Sequence, residues 1–144
     1  MKVPYSWLKE FVDIDITPAE LGDKLVSVGF EIEEVIEMRD SIKNVVAGKI
    51  LSVEKHPDSD HLLVCSVDVG TGKVQIVTGA QNVKTGDVVP VALDGAVLPD
   101  GKKINSGALR GVKSEGMMCS GGELALTESD YPGAGVYGIL ILDA

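Results

Sequence analysis

The sequence predicts a mainly β fold: an OB-type antiparallel barrel of five strands preceded by a helical segment, α+β overall. Short runs of β-branched residues, separated by turn residues, begin at Asn44 and continue through residue 120. Strands at this spacing without intervening helices are typical of a small antiparallel barrel. Ahead of them, a capped amphipathic pattern indicates a helix. With 144 residues and 44% hydrophobic residues, the chain is large enough for one medium domain, or for a small domain with an appendage.

Residues 1–40 are predicted to form a helical segment that ends in an extended strand. Within TPAELGDKLVSVG, Thr17 is the expected N-cap and Pro18 takes the first helical position. Glu20 completes a capping box with Thr17, and Gly29 is placed to end the helix. The start and the end of this helix are therefore both marked in the sequence.

Further apolar residues lie on either side of this helix. Trp7, Leu8, Phe11 and Val12 share one face at helical spacing, and we interpret them as core residues. The acidic stretch Glu31–Met38 is predicted to be a strand or an edge ribbon. Because so short a segment cannot bury enough surface by itself, we expect it to pack on another part of the protein.

Residues 41–122 are predicted to form the barrel, and residues 123–144 a connecting tail. The GTGK sequence that ends at Lys73 is predicted to be a hairpin turn, because a phosphate-binding loop would need further glycine and hydroxyl residues and a following helix. The last strand of the tail, GILIL, is expected to lead into a missing remainder of a longer protein. The candidate strands are residues 45–55, 62–69, 74–79, 88–93, 102–111 and 116–120 in the barrel and 138–142 in the tail.

The net charge of −9 is unevenly distributed. Residues 1–40 hold four basic and ten acidic residues, and residues 123–144 hold four acidic residues and no lysine or arginine. Residues 41–122 hold nine basic and eight acidic residues, a net charge of +1. The sequence therefore lacks the strongly basic surface of a typical nucleic-acid-binding domain, and any contact with RNA is expected to be a local patch.

The two cysteines predict the cellular compartment. Cys65 and Cys119 are too few for a disulfide framework, and each lies in an apolar run. We therefore predict buried free thiols in a reducing environment. Because the sequence also shows no signal peptide and no apolar run long enough to span a membrane, we predict a soluble cytoplasmic protein with no membrane partner.

The stretch EKHPDSDHLLVCSVDVG holds both histidines and has the composition of a metal or catalytic loop. The spacing of His56 and His61 fits neither a helical zinc pair nor a zinc finger, and Pro57 prevents a regular helix. Asp58 and Asp60 lie in a turn sequence, where such side chains bond local backbone N–H groups. We therefore predict no catalytic residue, no metal ligand and no bound cofactor in this chain.

The stretch ALRGVKSEGM has two alternative interpretations. Arg110, Lys113 and Ser114 lie in a bend flanked by glycines, where two cations and a hydroxyl can bind a phosphate group. Alternatively, the arginine holds a nearby carboxylate such as that of Glu115. The residues themselves leave both possibilities open.

Several segments resemble one known family. GKILSVEKHPDSDHLLVCSVDVG, QIVTGAQNV, VPVALDGAVLPDGKKI and LRGVKSEGMMCS, in this order, resemble the tRNA-binding OB domain of synthetase-associated proteins such as endothelial monocyte-activating polypeptide II. The opening MKVPYSWLKEFVDIDITPAELGDKLVSVGFEIEEV is similar to the N-terminus of bacterial phenylalanine–tRNA ligase beta subunits. His61 departs from the family, in which lysine is frequent at this position. The signature positions fall on His56, Pro57, Asp58, Asp60, Leu62, Gly79, Asn82, Leu109, Arg110, Gly111, Ser114, Gly116 and Met117.

The resemblance implies an aminoacyl-tRNA synthetase of protein biosynthesis. This ligase attaches phenylalanine to tRNA-Phe with ATP and magnesium, and it is a heterotetramer of two alpha and two beta subunits. In the family the aminoacylation site lies on the alpha subunit, whereas editing and anticodon recognition lie further along the beta subunit. The resemblance therefore implies a non-catalytic N-terminal piece whose partners are tRNA-Phe, the alpha subunit and the remainder of the beta subunit.

Two roles for such a piece remain open. The first is an accessory RNA-binding module; against it, residues 41–122 contain no Phe, Trp or Tyr on which bases could stack. The second is either a stand-alone tRNA-binding module or a purely structural module at a subunit interface without direct contact to RNA. The candidate RNA-binding residues for the first role are Lys49, Lys55, His56, Asn82, Lys84, Arg110, Lys113 and Ser114.

Overall fold

The computed structural model describes residues 1–142. The chain divides into two compact units, and the boundary in the sequence lies between Glu37 and Met38. The first unit, Met1–Glu37, contains a one-turn helix α1 (Tyr5–Leu8) and a longer helix α2 (Pro18–Ser27). The second unit begins with a 3-10 turn (Met38–Ser41) and continues through seven strands and the tail.

Helix α2 has the predicted cap at each end. Thr17 Oγ1 accepts a hydrogen bond from Glu20 N–H at 3.3 Å, and Glu20 Oε2 accepts one from Thr17 N–H at 2.8 Å, which forms the capping box. At the other end Gly29 has a φ of +96°, and the N–H of Phe30 donates to Leu25 O at 2.9 Å. This satisfies a terminal carbonyl of the helix, as glycine C-caps do.

The apolar residues of the first unit are largely exposed. Trp7 is 56% exposed, Phe11 77% and Val12 61%, so the prediction that these side chains form a core is wrong. Gly22 is the buried residue of α2, and no second layer within the first unit covers the apolar faces. The predicted strand at Glu31–Met38 is also wrong, because residues 31–37 form no backbone ladder.

The second unit has the topology of an OB-type barrel, and this confirms the predicted fold class. Its five-stranded antiparallel sheet has the order β3-β2-β1-β4-β7, and β5 and β6 form a separate two-stranded hairpin between β4 and β7. The GTGK sequence is the predicted turn between β2 and β3. The strands are β1 (Lys43–Lys55), β2 (Leu63–Asp68), β3 (Lys73–Thr78), β4 (Val88–Val97), β5 (Gly107–Leu109), β6 (Val112–Ser114) and β7 (Gly116–Met118).

The longest strand, β1, organises the barrel because it pairs with β2 along one half and with β4 along the other. Alternate residues point into the core, as the pleat of a strand requires. The rows Ile50–Val67–Val74 and Val53–Cys65–Ile76 cross β1, β2 and β3, and Cys65 and Val67 are fully buried. The buried core residues are Ile50, Cys65, Val67, Ile76, Val83, Val89, Val91, Met118 and Ile139.

The tail packs on the outside of β4 and β7 and belongs to the second unit. Leu124 and Leu140 are buried together with Leu98 and Cys119 in a second apolar cluster. Leu142 N–H donates to Val88 O at 2.7 Å. Among residues 1–142, the predicted last strand thus contributes an isolated bridge, and the predicted strand at 102–111 is divided between a bridge at residue 103 and β5.

Gly48 allows three strands to approach closely at the middle of β1. A Cβ atom at this position would lie 2.7 Å from Val67 Cγ1 and 2.8 Å from Val91 Cγ2, and both valines are fully buried. Gly48 therefore permits a close approach of core side chains. The register shifts of β1 lie on either side of it, between Lys43 and Val45 and between Ile50 and Ser52.

We expect Gly48→Ala to destabilise the barrel by about 1–3 kcal/mol, because an extra methyl group has to displace packed core valines. Urea unfolding followed by circular dichroism measures the change. Gly72→Ala is the matched control, since a Cβ there meets no atom within 4 Å. Equal stability of the two variants would contradict the close approach at Gly48.

Candidate nucleic-acid interface

The barrel is closed between β3 and the segment Lys113–Gly116, largely through side chains. Glu115 N–H donates to Gln75 O at 2.7 Å, and Gln75 N–H donates to Glu115 Oε2 at 3.0 Å. The side-chain amide of Gln75 donates to Lys113 O at 2.8 Å. We call this set of contacts the seam of the barrel.

Ser114 lies at the buried centre of the seam and is 7% exposed. Its Oγ accepts a hydrogen bond from Val77 N–H at 3.0 Å and donates to Gly116 O at 3.0 Å. The hydroxyl thus takes the place of a backbone carbonyl in a sheet ladder. The predicted phosphate ligand Ser114 therefore has a structural role, and its hydroxyl is already fully engaged.

His56 connects the β1–β2 loop to the β5–β6 hairpin. Its Nδ1 accepts a hydrogen bond from Asp58 N–H at 3.0 Å, so the ring proton lies on Nε2. Nε2 is 2.9 Å from Leu109 O and donates to it. Because the ring is 4% exposed and both nitrogens are engaged, His56 holds two loops together.

Arg110 occupies the tip of the β5–β6 hairpin in a left-handed conformation. Its φ is +48° and that of Gly111 is +82°, so the two residues form the type of tight turn in which both central residues have positive φ. Asn, Asp and Gly are favoured in the first position of this turn, whereas arginine is unusual there. The exposed guanidinium makes one weak hydrogen bond, from Nη1 to Asp58 O at 3.3 Å.

A shallow groove of about 370 Å³ runs beneath this hairpin. Its lining includes Gly107 and Gly116, which have no side chain, and Ala108, which has a small one. Lys102 and Lys103 border it, and neither has a carboxylate partner among residues 1–142. The groove is lined by Val77, Lys102, Lys103, Ile104, Asn105, Gly107, Ala108, Leu109, Ser114, Gly116 and Met117.

The outer face of β2 and β3, which binds nucleic acid in many OB folds, carries no excess of positive charge here. Lys49, Asp68 and Lys73 stand opposite one another across β1, β2 and β3, so the lysines flank a carboxylate. No aromatic side chain lies on these strands. The next row holds Ser52, Ser66 and Gln75.

Comparison with known proteins assigns the family. A sequence model described as "Putative tRNA binding domain" matches residues 45–133, which are 89 of the 144 residues. The chain belongs to this tRNA-binding domain family. The matched residues include every strand from β2 to β7, the β5–β6 hairpin and the groove beneath it.

Two relatives are similar over nearly the entire chain. The phenylalanine–tRNA ligase beta subunit of Clostridium acetobutylicum is 54% identical over 99% of this chain and 18% of that protein. The beta subunit of Clostridium tetani is also 54% identical, over 99% of this chain and 17% of that protein. The chain thus spans less than a fifth of the length of the curated relatives that it matches.

Solved structures give more distant likenesses. The C-terminal domain of Plasmodium vivax p43 is 27% identical over 52% of this chain and 44% of that chain, with a TM-score of 0.42. A MetRS-related protein from Pyrococcus horikoshii is 18% identical over 76% of this chain and 87% of that chain, with a TM-score of 0.46. Because both scores are below 0.5, the family assignment does not depend on them.

The candidate residues chosen from the sequence fall into two groups. His56, Arg110, Lys113 and Ser114 are brought together where the β1–β2 loop meets the hairpin and the seam, and Lys55 directly precedes His56. Residues 49, 82 and 84 lie elsewhere on the barrel. The role of these eight residues in binding RNA stays a prediction.

Two more of these candidates, besides His56 and Ser114, also have structural partners. Lys113 Nζ, rather than Arg110, pairs with Glu115 at 2.9 Å. Asn82 binds the backbone of Ile139 through both atoms of its amide. Sequence reasoning omitted Lys102 and Lys103 from the candidates, because their place beside the groove depends on the course of the loop after β4.

The two cysteines are buried free thiols. Burial raises the pKa of the Cys65 and Cys119 thiols to about 11, with Glu123 adding to the effect at Cys119, so neither is a ready nucleophile. Within residues 1–142 no three or more His, Cys, Asp or Glu side chains are grouped to hold a metal ion. No helix in this range is long and apolar enough to cross a membrane.

We expect Ser114→Ala to destabilise the barrel by about 1–3 kcal/mol, because Val77 N–H loses its acceptor in a buried position. Urea unfolding measures the loss, and amide hydrogen exchange should show reduced protection at Val77. Ser106→Ala is the control, because Ser106 is exposed and its hydroxyl has no hydrogen-bond partner among the described residues. Unchanged protection at Val77 would contradict the role of Ser114 in the seam.

The seam also predicts a pH dependence. The hydrogen bond from Gln75 N–H lowers the pKa of Glu115, and Lys113 lowers it further. Because the pKa is lower in the folded state, the stabilising contribution is present above the unfolded pKa and is lost as the pH falls through the folded pKa. We expect Glu115→Gln to be less stable than the wild type at pH 7.

Glu115→Gln should also lose less stability than the wild type when the pH is lowered below 4.5, the ordinary pKa of a glutamate carboxyl group. Urea unfolding at a series of pH values measures both effects. Glu54→Gln is the matched control, since Glu54 is exposed on β1 and its carboxylate has no hydrogen-bond partner among the described residues. If the free energy of unfolding of the two variants depends on pH in the same way, Glu115 does not contribute to the pH dependence of stability.

Proposed function

We propose that this chain is a tRNA-binding module of a phenylalanine–tRNA ligase beta subunit, and that it binds the RNA backbone at the β5–β6 hairpin. The observation that carries the proposal is the left-handed Arg110 at the exposed tip of that hairpin. Membership of the tRNA-binding domain family supplies the class of ligand. The similarity to ligase beta subunits over 99% of the chain supplies the enzyme.

The conformation of Arg110 favours a role in binding. A non-glycine residue in the left-handed region costs roughly 1–2 kcal/mol, and asparagine would form the turn at lower cost. Strained residues of this kind are concentrated at functional sites. Because the guanidinium has one weak protein contact, its remaining donors are free for the oxygens of a phosphate group.

The surroundings of Arg110 fit a backbone-binding role. Lys102 and Lys103 border the adjacent groove and add two charges without carboxylate partners among residues 1–142. The β1–β2 loop and the segment between β4 and β7 occupy the places of the two loops that flank the binding surface in OB folds, and His56 joins them here through the β5–β6 hairpin. The proposed contact is therefore local, in agreement with the overall negative charge of the chain.

The complete ligase would attach phenylalanine to tRNA-Phe in the cytoplasm, with ATP and magnesium, as a heterotetramer of two alpha and two beta subunits. In this proposal the reaction, editing and anticodon recognition take place in other parts of that enzyme. This chain binds and orients tRNA and performs no chemical step. Its described residues offer no donor set that fits a catalytic magnesium ion, so no step is assigned to one here.

A second candidate is a bracing role without RNA contact, at an interface with the alpha subunit or the remainder of the beta subunit. It is favoured by the first unit, whose apolar side chains Trp7, Phe11 and Phe30 are all more than half exposed. The outer face of β2 and β3, with its balanced charges, also favours this role. The two candidates differ in whether the isolated chain binds tRNA.

The test is a titration of the 144-residue chain with labelled tRNA-Phe at several salt concentrations. We expect Arg110→Asn to weaken binding by about tenfold at low salt and to lower the slope of log K against log salt by about one, as the loss of one phosphate contact does. Because asparagine favours the left-handed turn, the stability of the variant should be unchanged or increased.

Lys73→Asn is the matched control, because Lys73 lies at the β2–β3 turn, at the opposite end of β2 from the hairpin. It should leave both the affinity and the salt slope close to those of the wild type. Equal effects of the two substitutions would overturn the assignment of the contact to the hairpin. Absence of wild-type binding at low salt would favour the bracing role.

A further inference from the structure

The tail carries an aromatic side chain that the protein leaves uncovered. Tyr137 is 102% exposed, and its neighbour Val136 is 60% exposed. The other tyrosine of the tail, Tyr131, packs against the second apolar cluster. Tyr137 makes no ring contact or side-chain hydrogen bond within residues 1–142, so both faces of its ring are accessible.

The loop that carries Tyr137 is held in place before and after this residue. The Glu128 carboxylate accepts hydrogen bonds from Gly133 N–H at 2.8 Å and Gly135 N–H at 2.9 Å. These two bonds also lower the pKa of Glu128, so the carboxylate is charged at neutral pH. The exposed ring therefore projects from an ordered loop, which reduces the entropic cost of binding.

The loop is also fixed to the barrel directly after Tyr137. The Asn82 amide donates to Ile139 O at 2.9 Å and accepts from Ile139 N–H at 3.0 Å. Gly138, with a φ of +116°, lies against the same amide. This pair of hydrogen bonds joins the tail, two residues after Tyr137, to the loop between β3 and β4.

A series of contacts connects the β3–β4 loop with Arg110, the proposed RNA contact. Gln81 Nε2 donates to His61 O at 3.0 Å, which joins the β3–β4 loop to the β1–β2 loop. The β1–β2 loop in turn contacts Arg110 through Asp58 O. The loops that carry Tyr137 and Arg110 are thus linked through two intervening loops, the β3–β4 loop and the β1–β2 loop.

We propose that Tyr137 is a stacking platform for an unpaired base of the RNA bound by this module. This inference rests on the proposed function. Stacking on an exposed aromatic ring is open to every base, because each has a π-face, but a base inside a duplex cannot reach the ring. The ligand class is therefore single-stranded RNA, and the tail provides the aromatic that residues 41–122 lack.

The experiment compares Tyr137→Ala, Tyr137→Phe and Tyr137→Leu by fluorescence anisotropy. The probes are a labelled 12-nucleotide single-stranded RNA of mixed sequence, tRNA-Phe and a blunt RNA duplex. We expect Tyr137→Ala and Tyr137→Leu to weaken binding of the single strand about 5- to 100-fold, and Tyr137→Phe to retain it. Binding of the duplex should not change.

Two further readouts separate stacking from other effects. The salt slope should be the same for Tyr137→Ala as for the wild type, because no charge is removed, whereas Arg110→Asn lowers it. Val136→Ala is the matched control in the same loop and should bind all three probes like the wild type. The thermal midpoints of all variants should agree, because the two side chains are exposed.

The failures of the two proposals can be distinguished. If the wild type binds no RNA at low salt, the proposed function is wrong and this inference is wrong with it. If the wild type binds and Arg110→Asn weakens binding, but Tyr137→Ala binds like the wild type, the inference alone is overturned. If Tyr137→Leu binds the single strand as well as Tyr137→Phe does, the ring does not act by stacking and the inference is overturned.

Discussion

The hydrogen bond from Val77 N–H to the Ser114 hydroxyl joins β3, one edge strand of the five-stranded sheet, to the end of the β5–β6 hairpin. The rest of the proposed interface depends on it. Ser114 ends strand β6, so fixing Ser114 against β3 fixes the base of the β5–β6 hairpin and the direction in which the Arg110 tip points. The groove with Lys102 and Lys103 lies between this hairpin and the barrel, and it exists because the seam holds the hairpin there. The residues that close the fold thereby position the residues proposed to bind RNA.

Local signals explain the features that could be predicted from the sequence. The capping box of Thr17 and Glu20, the GTGK turn and the strands β1 to β4 each depend on residues close together in the chain, and all are present. Other features depend on residues far apart in sequence. Ser114 bonds to a residue 37 positions away, and His56 and Asn82 bond to residues 53 and 57 positions away. The sequence marked these three residues as members of a family signature, but it could not distinguish a residue that joins loops from one that contacts a ligand.

The error in the first unit has a different cause. A helical stripe such as Trp7, Phe11 and Val12 predicts that one face is covered, but the pattern does not identify what covers it. Within Met1–Glu37 there is too little chain to form a second layer, so the same side chains that indicate a core are exposed. The distribution of charge along the sequence was also informative only in part. The near-neutral barrel sequence excluded a broad basic surface, whereas the placement of Lys102 and Lys103 beside the groove depends on tertiary structure.

The short closing strands have a consequence for the behaviour of the barrel on heating. Strands β6 and β7 have three residues each, and the seam is held by a few side-chain hydrogen bonds, so it opens at lower cost than the long ladders of β1. Once it opens, the free edges of β3 and β7 expose unpaired backbone groups while most of the core is still folded. Such edges pair with the same edges of other molecules, which leads to domain swapping or aggregation. By keeping the seam closed, the Ser114 hydroxyl therefore also limits pairing of the β3 and β7 edges with neighbouring chains.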